Sequence, residues 1–185
     1  MGSPKQLLTY HDATLLEHAV NTALSTQLQP VVVVLGANFE ALLPVLAGKN
    51  VAIVKNNGWE EGMASSLRLG LQHLQQLAPR HDGIIFMVCD QPFVNSSLLE
   101  SLMTTQHSTG KAATASSYAG KLGTPALFHQ TRWRQLQQLQ GDTGARKLLM
   151  AHPDEVAAVP FEAGVTDIDT QEDYDRLMNN QSVLE

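Results

Sequence analysis

Three short apolar runs, each closed by turn residues, constrain this chain more than any other feature. They are VVVVLG at 31–36, VAIV at 51–54 and GIIFMV at 83–88. Runs of this kind, without polar alternation, are the pattern of strands buried on both faces. Segments with helical spacing lie around them at 14–27, 38–46 and 65–77. Thr14 and Glu17 are placed as a capping box, and Leu67, Leu71 and Leu74 share one face of the third segment. Strand and helix alternate, so the fold class is α/β: a Rossmann-like three-layer α/β/α arrangement around one open, mostly parallel sheet. Ligands of such a sheet collect outside the carboxyl ends of its strands.

The second half is less regular. The pattern predicts a helix over 95–107, a strand over 112–117 and a turn over 118–123 into a short strand at 126–128. Helices follow over 131–139 and 145–151, then a strand near 156–159 and a last helix after Thr170. No Pro/Gly/Ser linker or composition shift divides the chain, and the expectation is one domain over 1–185.

Composition narrows function by exclusion. With 185 residues and 43% hydrophobic content the chain can bury a sizeable core. A formal net charge of -6 opposes binding to nucleic acid or an anionic membrane, since both need a basic face. The lone Cys89 excludes an intramolecular disulfide, and no apolar run reaches membrane-spanning length. A cytoplasmic setting is the expectation. The seven histidines are scattered, without the spacing of a zinc site or a triad.

Two short motifs carry carboxylates. Cys89-Asp90-Gln91-Pro92 follows a buried strand directly, which puts Asp90 at the strand's carboxyl end. A carboxylate there can hold Mg²⁺, which bridges protein oxygens to substrate phosphates; Asp90 reads equally as a turn residue before Pro92. Asp167-Ile168-Asp169-Thr170 supplies a second acidic pair, and Thr170 with Asp173 also fits a helix cap.

Six motifs in chain order decide more than any one of them: MGSPKQLL at 1–8, NGWEEGMASSL at 57–67, CDQP at 89–92, GTPALF at 123–128, GDTGAR at 141–146 and DIDTQEDY at 167–174. The series resembles the molybdenum cofactor cytidylyltransferase family over nearly the whole chain. This is a group of MobA-like nucleotidyltransferases with a sheet of the nucleotide-diphospho-sugar transferase type. The resemblance implies transfer of CMP from CTP to a phosphate-bearing acceptor, molybdopterin or the molybdenum cofactor, with Mg²⁺ as cofactor and release of pyrophosphate.

It also implies roles for single residues. Lys5 matches the lysine that reaches the nucleotide phosphates, and with Asp90 it forms the catalytic pair. Gly62, Ser65 and Ser66 match the loop and helix start that contact the nucleotide; either serine reads equally as a helix N-cap. Asp90 matches the magnesium ligand, and Asp167 or Asp169 the second carboxylate, with Asp167 favoured. Thr124 and Arg146 fall on the acceptor side, where Thr124 replaces the histidine or asparagine of other members. Implied partners are CTP or GTP, a molybdopterin-like molecule, transient contact with a molybdoenzyme or its chaperone, and a second copy of the chain.

The resemblance leaves the base and the acceptor open. Guanylyltransferases of the group usually carry Gly-Gly-x-Asp-Lys where this chain has Met1-Gly2-Ser3-Pro4-Lys5, which favours cytidine. Another phosphate acceptor, or a non-catalytic relative that only binds cofactor or partner, fits the same pattern. In the family a strand and a Leu-Ala-Ala-Gly-x-Ser-x-Arg loop come before Met-Gly-x-Pro-Lys. The expectation is therefore an N-terminally incomplete domain with an unpaired position near mid-sheet, whose strand edges favour dimerisation. Leu184-Glu185 reads as a candidate cloning remnant.

Overall fold

The computed structural model describes residues 4–181, with side chains over 4–179. Residues 1–3 of the first motif and 184–185 lie outside them. A 3-10 turn over Lys5–Leu7 leads into a small hairpin of β1 (Thr9–Tyr10) and β2 (Ala13–Thr14), then α1 (Leu15–Leu24). Next come β3 (Val32–Leu35), α2 (Phe39–Leu42), β4 (Ala52–Lys55), α3 (Met63–Leu77) and β5 (Gly83–Phe86). After α4 (Ser96–Thr109) the chain forms a hairpin of β6 (Ala113–Tyr118) and β7 (Lys121–His129). It continues through α5 (Trp133–Leu136), α6 (Arg146–Ala151), β8 (Val156–Pro160) and α7 (Gln171–Gln181).

Helices cover both sides of a sheet, as the alternation predicts. On one face Phe128 and Ala126 of β7 and Ala115 of β6 pack with Leu71 of α3, Leu136 of α5 and Leu149 of α6. On the other face Leu127 of β7 and Val159 of β8 pack with Leu99 and Leu102 of α4. The alternation of Ala126, Leu127 and Phe128 between these cores is the period of a strand buried on both sides. A third core joins Leu16 and Val20 of α1 to Leu35 and Leu42.

Strand direction is mixed. β3 pairs parallel with β4, and the larger sheet runs β5-β7-β6-β8, with β6 and β8 parallel. β7 is the antiparallel strand that a mostly parallel sheet leaves out, paired that way with both β5 and β6. It is also longer than the expected 126–128: Gly123, Thr124 and Pro125 belong to the strand, and a register shift at Ala115/Ser116 accommodates them.

Several helix boundaries depart from the expectation for local reasons. α1 starts after Thr14, whose Oγ1 accepts from Glu17 N, but it ends at Leu24 rather than 27, because the Thr26 hydroxyl donates to Ala23 O and turns the chain. The Glu17 carboxylate completes no capping box; it pairs with Lys49 Nζ at 2.9 Å. The segment at 38–46 is α-helical only over Phe39–Leu42 and 3-10 over Leu43–Leu46, since Pro44 has no N–H for the α-helical bond. The expected 131–139 helix reduces to a 3-10 turn at Gln130–Arg132 and one turn at Trp133–Leu136. α3 begins at Met63, ahead of the expected 65, with Gly62 as its N-cap.

A slot separates the two sheets. Among the described residues β3 pairs only with β4 and β5 only with β7, and two cavities of about 480 and 460 Å³ lie along the slot. The first is lined by residues 31–38, along and after β3, and by 87–90 just after β5; the second by residues 30–32 and 83–85 at the amino ends of the two strands. The strands therefore run the same way, about one open strand position. Val31 O and Leu35 O accept from Ala52 N and Asn56 N, so the alternation of a parallel ladder turns the main-chain groups of Val32 and Val34 toward the slot. In hydrogen-exchange NMR the amides of Val32 and Val34 should exchange faster than those of Val33 and Leu35; equal protection would mean that the slot edge is paired.

Candidate active site

The site forms where the beginning and end of the described chain meet at the carboxyl end of β5. Ile168 is fully buried with Tyr10, Leu15 and Leu177, and its N–H donates to Asp90 O at 2.9 Å. Thr170 and Asp173 exchange capping bonds at the start of α7: Thr170 N donates to Asp173 Oδ2 and Asp173 N to Thr170 Oγ1. Ile168 and this cap hold the intervening Asp169 beside Asp90. From the other direction, Leu15 N donates to Leu8 O and Tyr174 Oη to Thr9 O, which bring the Lys5 turn to the same place.

Lys5 Nζ then lies 2.6 Å from Asp90 Oδ2 and 2.7 Å from Asp169 Oδ1. Burial alone would lower the pKa of this amine, but the hydrogen bonds to Asp169 and Asp90 outweigh it and hold the group above its ordinary value, fully charged. Two hard carboxylate oxygens converging on one cation are the donors a magnesium or manganese ion takes, with substrate phosphates completing its shell. Asp90 and Asp169 thus suit such an ion. Asp167, the favoured partner from the sequence, is exposed and has no hydrogen bond or ion pair among the described residues. No cluster of three or more His, Cys, Asp or Glu residues that could hold a metal occurs among the described residues.

Met63, the residue after Gly62, lines the same cavity as Lys5 and Asp90 and brings the Gly62 loop to the site. Gly62 has φ +111°, and a Cβ on it would lie 2.7 Å from the Gly141 carbonyl, so only glycine lets the GDTGAR loop pack this closely. Ala64 N donates to Gly141 O, and Glu61 accepts from Gly141 N while pairing with Arg68 at 2.6 Å. Neither serine caps α3. Ser65 is buried, its hydroxyl donating to Gly62 O and accepting from Asn56 Nδ2; the half-buried Ser66 hydroxyl accepts from the same Nδ2 and keeps its own proton for another acceptor.

Thr124 is joined to the Asp90 loop through the next residue. Its hydroxyl donates to Gln91 Oε1, while Gln91 Nε2 donates to Gly164 O and Tyr118 Oη. Arg146 is the first residue of α6 and exposed, with no hydrogen bond or ion pair among the described residues. Cys89 is half-buried; burial, then the charge of Asp90, push its thiol up to about 11, which favours the protonated form. Asn56 and Gln91 organise the site, and sequence reasoning gave neither a role although Gln91 lies in the CDQP motif. The clue to Asn56 is an amide directly after a strand and one residue before the NGWEEG motif.

Comparison with known proteins places the chain in a family. The MobA-like NTP transferase domain matches residues 1–156. The chain belongs to that family. Its curated relatives include nicotine blue oxidoreductase of Paenarthrobacter nicotinovorans, 30% identical over 95% of this chain and 88% of that protein. Purine catabolism protein PucB of Bacillus subtilis is 27% identical over 98% of this chain and 91% of PucB. Among solved structures, Rv0371c of Mycobacterium tuberculosis is 30% identical with a TM-score of 0.84, covering 97% of this chain and 90% of that one. Rv0371c was also solved in complex with manganese, a structure 28% identical with a TM-score of 0.80 over 95% of this MobA-like chain and 91% of that one. No helix among the described residues is long and apolar enough to cross a membrane.

Asn56→Ala leaves the Gly58 N–H without its acceptor and both serine hydroxyls without their donor. It should lower the unfolding free energy by about 1–3 kcal/mol in urea denaturation. An unchanged midpoint would remove Asn56 as the pin of the Gly62 loop.

Proposed function

We propose that this chain is a single nucleotidyltransferase-like domain that transfers CMP from CTP to a phosphate-bearing acceptor of the molybdopterin type, releasing pyrophosphate. The observation that carries the proposal is the convergence of Lys5, Asp90 and Asp169 beyond the carboxyl end of β5, at a cavity that Lys5 and Asp90 line together with Met63, the residue after Gly62. A site for transfer between phosphates needs cations and hard oxygen ligands rather than a nucleophile, and this chain gathers both. The protonated Cys89 agrees with direct displacement and no covalent enzyme intermediate.

In this reading an acceptor phosphate oxygen bonds to the α-phosphorus of CTP as the bond to the pyrophosphate oxygen breaks. Lys5 offsets charge that grows on the leaving pyrophosphate. Asp90 and Asp169 would hold Mg²⁺, which would supply charge neutralisation for the phosphates. The loop at Gly62 and the Ser66 hydroxyl receive the nucleotide, with Ser65 and Asn56 fixing their positions. Arg146 contributes a cation for the acceptor phosphate, and Thr124 shapes that side through Gln91. Cytidine is favoured over guanosine by Gly2-Ser3-Pro4-Lys5, which differs from the usual Gly-x-Asp-Lys of guanylyltransferases.

Calorimetric titration with CTP and with GTP, each with and without Mg²⁺, tests this reading. Magnesium-dependent binding of CTP over GTP is expected, and Asp90→Ala should cut transfer, read as pyrophosphate release, by about 10²-fold or more while leaving the circular dichroism spectrum unchanged. A preference for GTP would overturn the base assignment, and full activity in Asp90→Ala would overturn the metal assignment.

A further inference from the structure

We infer that Lys5 is a stand-in cation that keeps the Asp90–Asp169 site closed to divalent metal until a nucleotide draws the lysine away. The inference rests on the metal-dependent reading above and concerns the order in which metal and nucleotide bind.

Lys5 Nζ sits within 2.7 Å of an oxygen from each carboxylate. A magnesium ion takes such oxygens at about 2.0–2.1 Å and requires a near-octahedral shell. Ammonium and metal therefore claim the same oxygens and the same space, so one must leave before the other enters. Without either cation, Asp90 and Asp169 would oppose each other as like charges. The lysine relieves that repulsion in the nucleotide-free protein.

The side chain is built to move. Lys5 lies in a three-residue turn, its side chain is 28% exposed, and the only hydrogen bonds of that side chain among the described residues go to these two carboxylates. A lysine has a flexible four-carbon stem and a compact charge that exchanges one set of anionic oxygens for another. A triphosphate entering at the carboxyl end of β5 offers such oxygens. Once Nζ moves to them, Asp90 and Asp169 are released to the metal that accompanies the phosphates. Metal affinity in the nucleotide-free state is then reduced by the fraction of molecules in which the lysine is engaged.

The test uses the whole chain and Mn²⁺ as probe, with free Mn²⁺ read by electron paramagnetic resonance. Lys5→Met keeps most of the stem and removes the charge; Lys5→Ala removes both. Without nucleotide, both variants should bind Mn²⁺ at least about tenfold more tightly than the wild-type chain, and the gain in Mn²⁺ affinity on adding CTP should be smaller in the variants than in wild type. The difference should persist at about 1 M salt, where charges beyond ~3 Å are screened. Equal Mn²⁺ affinity without nucleotide, or a difference that vanishes in high salt, overturns the stand-in role while Mn²⁺ binding with CTP keeps the transferase reading alive. No Mn²⁺ binding in any of the chains, even with CTP, overturns both.

Discussion

The burial of Ile168 is the constraint on which the site depends. This one side chain packs with Tyr10 and Leu15 from the beginning of the chain and Leu177 from α7. Burying such a side chain is worth about 1.5–3 kcal/mol, but its larger effect is positional. Residues 164 apart in sequence, Lys5 and Asp169, become hydrogen-bond partners because the apolar residue beside Asp169 has a single place to go. The acidic pair around Ile168 is thereby split in position: Asp169 joins the lysine, and Asp167 remains exposed.

A second coupling joins the two motifs that form the opposite wall. Gly62 and Gly141 touch with no room for a Cβ at Gly62, and Glu61 reaches both Arg68 and the Gly141 N–H. The loop that precedes α3 and the GDTGAR loop that precedes α6 therefore behave as one packed unit. A change in either shifts the start of α3, where Asn56 holds Ser65 and Ser66.

The strands were legible because apolar runs without polar alternation mark 31–36, 51–54 and 83–88, although beside the slot they are half-buried rather than covered on both faces, and Thr14 announced its helix through capping chemistry. Less legible were places where a neighbour in space overrules local preference. Lys121, Leu122 and Gly123 look like part of a turn yet form strand, because β6 pairs with them at Tyr118, Ser117 and Ser116, and Thr124 and Pro125 sit in the register shift that follows. Cys89-Asp90-Gln91-Pro92 located one carboxylate correctly at a strand end, since that position follows from the α/β layout. The choice between Asp167 and Asp169 depends on which side of Ile168 faces Lys5, a tertiary fact with no local signature. Asn56 and Gln91 act through side-chain amides whose partners lie in other elements.

The slot between β3 and β5 also gives the site a mechanical character. Asn56 and the Gly62 loop extend from the two-stranded sheet, while Asp90 extends from the four-stranded one. Among the described residues no main-chain ladder crosses from one to the other, so their spacing is set by helices, as where Gly70 of α3 packs on Val34. Side-chain packing yields under smaller forces than a hydrogen-bonded ladder. The wall that carries Asn56 and the Gly62 loop and the wall that carries the carboxylates can therefore adjust like two jaws on a soft hinge, and whatever fills the seam sets the stiffness of the grip.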